Sequence, residues 1–387
     1  HRRGELTRSL PLLNRGARAT WQRTSPGAGV GLAQWVVNRM NFLIKNRQQR
    51  TSAELARSIC DTCFRMGVEV TSDEIWRLSD VSPSSDNRRK LHDELFLLLQ
   101  QGKMVLYGEG DRDPVPELVA QFAQEAYQHH MMEYLLTVMP RLEFEARKDI
   151  TQIFVALLQR SIGSRHPTVE YVYSNPSIVS MTIRGYEMPG IALNTGMILH
   201  EMLQYEILAK LFLYSSDLYR FPQYIEFTSF SISCDAFKNL RDALVSHRSM
   251  AAEFLQQQYV QFFSMFTQLL DSQNYVTRRQ SLKLLGELLV DRAHYSTMIR
   301  YVSDEENLKR IMNALRDRSK HIQLEAFHVF KVFVANPKKT PAVEAILRRN
   351  RSRILSFLEA FLPDSTNESF IDERQYIIQI IRAMPNT

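Results

Sequence analysis

With 387 residues and 44% hydrophobic side chains, the chain is too long for one compact core and long enough for two domains or one elongated array. Its formal charge of +6 resides in the first forty residues, where Arg2, Arg3, Arg8, Arg15, Arg18, Arg23 and Arg39 face Glu5 alone; removing these from the totals of 48 basic and 42 acidic residues leaves 41 of each over 41–387. That body lacks the basic excess of a nucleic-acid binder, and no run nears the roughly 18 apolar residues that a membrane-spanning helix needs.

Residues 1–40 are Arg-rich and acid-poor, with Pro26 followed by Gly27, Gly29 and Gly31. They read as a disordered or non-native extension, with a targeting segment as the alternative and Met40 as a candidate start. Ser52 to Met66 has the 3.6-residue period of an amphipathic helix, capped by Thr51 or Ser52 and stopped by Gly67. Val68 to Asn87 is polar and holds Pro83; it reads as a loop insertion, near 68–87, around one short helical turn at Trp76. Arg88 to Tyr107 forms the next helix, and Gly108 to Pro114 breaks it. Helices with short connections follow to Met384, with no convincing run of strand alternation, so the fold class is all-α over 41–387. The three cysteines, Cys60, Cys63 and Cys234, are too few for a disulfide framework and point to a reducing, cytoplasmic setting. Cys60-x-x-Cys63 lies inside a helical pattern without a second CxxC or a CxxH, so a structural role outweighs zinc or redox chemistry.

Internal repetition is the strongest signal. Three helices carry a small or polar residue, then an apolar one, with core positions three and six residues beyond the second: Ala236-Phe237 with Leu240 and Ala243, Ser281-Leu282 with Leu285 and Leu288, Ala326-Phe327 with Phe330 and Phe333. Looser copies start at Asp149-Ile150 and Ala192-Leu193, giving intervals of 43, 44, 45 and 45 residues. This is the period of armadillo and HEAT arrays, in which stacked helix groups bury faces that none could bury alone and form a right-handed solenoid with a long inner surface. Such a surface suits a large partner.

The stretch Asn274-Tyr275-Val276-Thr277-Arg278-Arg279-Gln280-Ser281-Leu282-Lys283-Leu284-Leu285-Gly286-Glu287-Leu288-Leu289 resembles the signature of the calcium-binding protein 39 family, also called mouse protein 25. Glu325-Ala326-Phe327-His328-Val329-Phe330-Lys331-Val332-Phe333-Val334-Ala335-Asn336-Pro337 is a second match, and weaker blocks begin at Phe144, Pro167 and Ala192. The likeness runs from about Met40 to Pro385. The blocks Phe144 to Asp149 and Phe370 to Arg374 look most like fungal members of the hyphal-development (HymA) type. The resemblance implies a scaffold without catalytic activity that binds and activates a sterile-twenty-type kinase, or a complex of pseudokinase and kinase, and that in fungi serves the morphogenesis and polarity kinase network. It implies a monomer until the partner binds.

On the helix from Asn274, residues Tyr275, Arg279 and Lys283 lie four apart and form one stripe away from Leu282, Leu285, Leu288 and Leu289. The stripe alone fits a solvated face or an interface, since Tyr and Arg are enriched at hot spots. The resemblance assigns the positions of Tyr275, Arg279, Lys283 and Phe230 to the kinase-like partner. It assigns Arg292 and Tyr295 to the activated kinase, Tyr295 standing where better-known relatives carry Phe. It assigns Lys309 and Met312, neighbours on one helix, to a C-terminal Trp-Glu-Phe tail of the pseudokinase. On the residues alone, Phe230 reads equally as a core aromatic, and Met312 as a core Met beside a surface Lys.

No catalytic constellation is found. His200-Glu201-Met202-Leu203-Gln204 lacks the second His of HExxH, no GxxxxGK[ST] loop exists, and a calcium loop begun at Asp111 would have Pro116 and Phe122 where Gly and Glu are required. The expectation is no cofactor, no metal and no calcium dependence. The alternative function, an armadillo-type peptide-binding transport adaptor, would use ladders of Trp and Asn; Trp21, Trp35 and Trp76 all precede the repeats.

Overall fold

Thr51 opens the first helix through a reciprocal pair of bonds. The Glu54 amide donates to Thr51 Oγ1 (3.2 Å) and the Thr51 amide to Glu54 Oε2 (2.8 Å), a capping box that stabilises the helix by about 1 kcal/mol. Helix α1 (Ser52–Arg65) ends where Gly67 takes φ +93°, as expected for a glycine stop. The computed structural model describes residues 50–71, 76–79, 84–363 and 366–385, so the 1–40 extension lies outside the described residues. Leu55, Ala56, Ile59, Cys60 and Cys63 form the buried face of α1. Burial pushes the Cys60 thiol up to about 12 and that of Cys63 well above its ordinary value, while Cys234 is half-exposed and all three are unpaired. A thiolate-selective aromatic disulfide reagent should therefore titrate one fast thiol per native chain and all three after denaturation. Three fast thiols in the native chain would refute the buried placement.

The Val68–Asn87 stretch is not a loop around a helical turn. Strands β1 (Val68–Val70) and β2 (Trp76–Leu78) pair antiparallel, with Glu69 opposite Arg77, and helix α2 (Ser85–Tyr107) starts three residues earlier than the periodicity predicts. Three-residue strands are too short to show alternation. Trp76 is fixed by packing, edge-on to Tyr134 with ring centroids 5.0 Å apart.

Helices then come in threes. The triplets are α3 (Pro116–Gln128), α4 (Met131–Val138) and α5 (Phe144–Gln159); α6 (Pro167–Ser174), α7 (Ser177–Arg184) and α8 (Ala192–Met202); α9 (Glu206–Tyr214), α10 (Phe221–Ile225) and α11 (Phe230–Val245). They continue with α12 (Arg248–Gln257), α13 (Tyr259–Leu270) and α14 (Tyr275–Val290); α15 (Tyr295–Val302), α16 (Glu305–Ala314) and α17 (Lys320–Ala335); α18 (Pro341–Arg349), α19 (Arg351–Ala360) and α20 (Glu368–Ala383). Pro116, Pro167 and Pro341 each stand at the first helical position, where a missing amide costs nothing. Each third helix packs on the next, from α2 through α5, α8, α11, α14 and α17 to α20. This is the expected helical-repeat stack of the armadillo and HEAT class.

Burial fixes the repeat frame and corrects two of the five copies. From Ile150, Thr195, Ala236, Ser281 and Ala326, the first, second, fourth, fifth and eighth residues are all buried, at intervals of 45, 41, 45 and 45. The looser copies therefore begin at Ile150-Thr151 and Thr195-Gly196, not at Asp149-Ile150 and Ala192-Leu193; Leu193 is 43% exposed. At the second position, Thr151 and Gly196 replace the apolar residue that the pattern requires. Gly196 has a steric reason. A Cβ there would lie 1.9 Å from Asp235 Oδ2 and 2.8 Å from the Tyr186 hydroxyl. That hydroxyl donates to Asp235 Oδ2 (2.5 Å), and Asn239 Nδ2 donates to both the Tyr186 oxygen (2.8 Å) and the Gly196 carbonyl (3.0 Å).

Burial also holds the Asp235 carboxyl above its ordinary value of 3.8, against the lowering effect of the Tyr186 bond. The folded chain thus binds this proton more tightly than the unfolded one, and the contribution of Asp235 to stability falls as pH rises through the folded value. Asp235→Asn can still accept from Tyr186. It should gain stability relative to wild type as pH rises from 4 to 7 in parallel thermal melts; a widening deficit instead would contradict the sign.

Candidate protein-binding face

Polar clamps tie each third helix to its successor. Lys103 meets Asp149 at 2.6 Å, Asn194 Nδ2 donates to Thr151 Oγ1 at 3.1 Å, and Asn239 reaches Gly196. Arg241 pairs with Glu287 at 3.0 Å, Arg279 with Glu325 at 3.5 Å, and Lys331 with Glu373 at 2.6 Å. Half-buried pairs of this kind contribute little energy each but fix the relative position of neighbours. The outward side chains of the third helices are therefore held on a stiff frame.

The frame places the stripe of α14 outside the core. Asn274 caps α14, accepting from the Val276 (2.9 Å) and Thr277 (3.4 Å) amides, so Tyr275 stands at the first helical position and is 44% exposed. Arg279 is half-exposed, oriented by Glu325 from the following triplet, while Lys283 is exposed with no partner among the described residues. Phe230 is not a core aromatic: it occupies the same first position of α11 and is 69% exposed.

Phe144 repeats the pattern at the first position of α5 and is 68% exposed. On α8 the equivalents of Arg279 and Lys283 are Leu193 and Met197, both exposed. The sequence reading missed these three as surface residues because an apolar side chain at helical spacing looks like core. Counting six residues back from each buried frame start would have found Phe144. Exposed large apolar groups, at the first position of α5 and α11 and at the two stripe positions of α8, form a patch of the kind that marks a protein interface.

Arg292 opens the short 3-10 turn after α14, Arg292–His294, Tyr295 opens α15, and both are exposed. Tyr295 borders an apolar cavity of about 420 Å³ shared with Met298, Val332, Tyr376 and Ile377. Lys309 and Met312 both lie on α16. Lys309 lines a groove with Asp271, Arg278 and Arg310 and pairs with Glu306 at 2.6 Å, whereas Met312 is 9% exposed and packs into the core. Among the described residues no three His, Cys, Asp or Glu side chains converge as metal ligands, and no helix is long and apolar enough to cross a membrane.

The model of the Mo25-like family matches residues 42–385. The chain belongs to that family. It is 44% identical over 316 residues to the calcium-binding protein 39-like protein of Mus musculus, covering 81% of this chain and 93% of the relative. It is 40% identical over 346 residues to the Mo25-like protein of Schizosaccharomyces pombe (89% and 100%) and 35% identical over 376 residues to the conidiophore development protein hymA of Emericella nidulans (89% and 94%). This Mo25-like chain is thus a helical-repeat scaffold, and its outward ladder lies on the third helices of the matched region.

Proposed function

We propose that this chain is a non-catalytic scaffold that grips a folded kinase-like protein, a sterile-twenty-type kinase or its pseudokinase partner, and thereby activates the kinase. The observation that carries the reading is the recurrence of an exposed aromatic at the first position of three third helices, Phe144, Phe230 and Tyr275, joined on α14 by two cations four and eight residues on. Aromatic and Arg side chains on a rigid support supply binding energy at low entropic cost. A face spanning several triplets fits a globular guest better than a single peptide. The family resemblance supplies the class of guest. A transport adaptor is disfavoured: the one described tryptophan, Trp76, sits in the hairpin, away from the third helices.

The test is affinity capture from the source cell with identification by mass spectrometry, wild type beside Arg279→Ala. A sterile-twenty-type kinase or pseudokinase should be retained by the first and depleted at least several-fold with the second. Retention of no kinase, or equal retention by both, would sink the reading.

A further inference from the structure

Three guanidinium groups converge where the C-terminal ends of α11 and α14 meet. A cleft of about 610 Å³ is lined by Arg241 and Val245 from α11, Arg248 at the start of α12, Glu287 and Asp291, and Arg292 and His294 from the 3-10 turn. Glu287 is held by Arg241, through Nη2 at 3.0 Å and Nε at 3.1 Å. Asp291 accepts from the Ala293 amide (2.9 Å) and faces Arg248 Nε at 3.4 Å, while Arg292 has no partner among the described residues. Three cations and two engaged carboxylates line the cleft, and a third carboxylate, Asp242, stands 3.6 Å from Arg241 Nη1, which leaves Arg292 as the cation without a counter-charge. Arg248 is 71% exposed at its side chain and meets Asp291 loosely, so its guanidinium is free to turn toward an incoming anion. The wall contains a further unsatisfied group. His294 is 2% exposed, its Nδ1 lies 3.1 Å from the Leu288 carbonyl, and its buried Nε2 has no hydrogen-bond partner. With Nδ1 donating to that carbonyl, Nε2 is an acceptor awaiting a donor.

We propose that this cleft receives a phosphorylated serine or threonine on the bound kinase-like guest. This rests on the scaffold reading and adds the chemistry of one contact. A phosphate monoester carries about two negative charges and three acceptor oxygens, so it can engage two guanidinium forks at once with more charge than a carboxylate brings. Arg292 and Arg248 bind the phosphate oxygens, and Arg241 stays with Glu287 and closes the cleft. Because Arg292 immediately precedes the surface that bears Tyr295, the cleft reads the modification state of the guest beside its apolar anchor.

The experiment has two arms, each with the full chain. In the first, one sterile-twenty-type kinase domain is prepared phosphorylated and phosphatase-treated, and each form is titrated against wild type and Arg248→Ala/Arg292→Ala. Wild type should bind the phosphorylated form at least roughly tenfold more tightly. The double variant should bind both forms alike, whatever its affinity for the phosphatase-treated form. Equal affinities with wild type, or a preference that survives the double substitution, would overturn the proposal. In the second, N-acetyl-O-phosphothreonine methylamide is added while the arginine side-chain resonances are followed by NMR, with the unphosphorylated and glutamate analogues as controls. Shifts at Arg248 and Arg292 that neither control reproduces are expected, and their absence overturns the site even if no kinase domain binds. Loss of all kinase binding with those shifts intact would fault the scaffold reading instead.

Discussion

Replacing Gly196 by alanine should destabilise this protein by about 2–4 kcal/mol, although the substitution removes a glycine from a helix interior. Helix propensity alone predicts a gain of about 1 kcal/mol. Against it stands the geometry. The new methyl would lie 1.9 Å from Asp235 Oδ2 and 2.8 Å from the Tyr186 hydroxyl, so the carboxylate must leave that hydroxyl. A fully buried Tyr186 then loses its acceptor, a cost of about 1–3 kcal/mol, and overpacking adds a similar amount. The sum exceeds the propensity gain. Urea unfolding should show a lowered midpoint for Gly196→Ala. Gly196→Ala/Asp235→Ala should recover part of the loss, because the second change removes the atom that collides. A midpoint equal to or above that of wild type would show that the joint yields without cost. Since repeats can unfold separately, amide exchange should locate the loss in α8 and α11.

The same joint shows where reading the sequence succeeds and fails. Phe237, Leu282 and Phe327 fill the second frame position with large apolar groups, and the period of three copies follows from them directly. Thr151 and Gly196 fill it in the other two, where what they bury is dictated by neighbours more than forty residues away, such as Asn194 and Asn239. The pattern then slides to Leu193, an apolar residue that faces outward. The hairpin escapes for a different reason: three residues per strand give no period, and Trp76 is held by α4 rather than by its own strand. On the binding face, Tyr275, Arg279 and Lys283 are legible because their polarity contrasts with the leucines between them. Phe144 and Met197 are not, since periodicity cannot tell an exposed apolar residue from a buried one. The Arg248 and Arg292 cleft joins residues from two triplets, and no local pattern records it.

Charge reversal at Arg279 should weaken binding of a sterile-twenty-type kinase or pseudokinase domain by about 100-fold or more, the largest single effect on the ladder. Arg279 combines three properties that the neighbouring residues share only in part. It is half-shielded, so an ion pair with the guest is less screened than one at the more exposed Lys283. It is oriented in advance by Glu325 at 3.5 Å, which lowers the entropy lost on contact. Its reversal also sets two acids side by side, leaving Glu325 to repel an acidic guest surface. Lys283→Glu should therefore cost roughly tenfold, with an effect that fades as salt is raised. Phe144→Asp tests the length of the face. Its ring is 68% exposed, so the change should leave the melting temperature within a degree or two. If the guest lies along the third helices from α5 to α14, the same substitution should weaken binding about tenfold or more by calorimetric titration. Unchanged affinity for Phe144→Asp beside a large loss for Arg279→Glu would confine the guest to α11 and α14. Unchanged affinity for both, with each variant folded, would leave the ladder without a binding role.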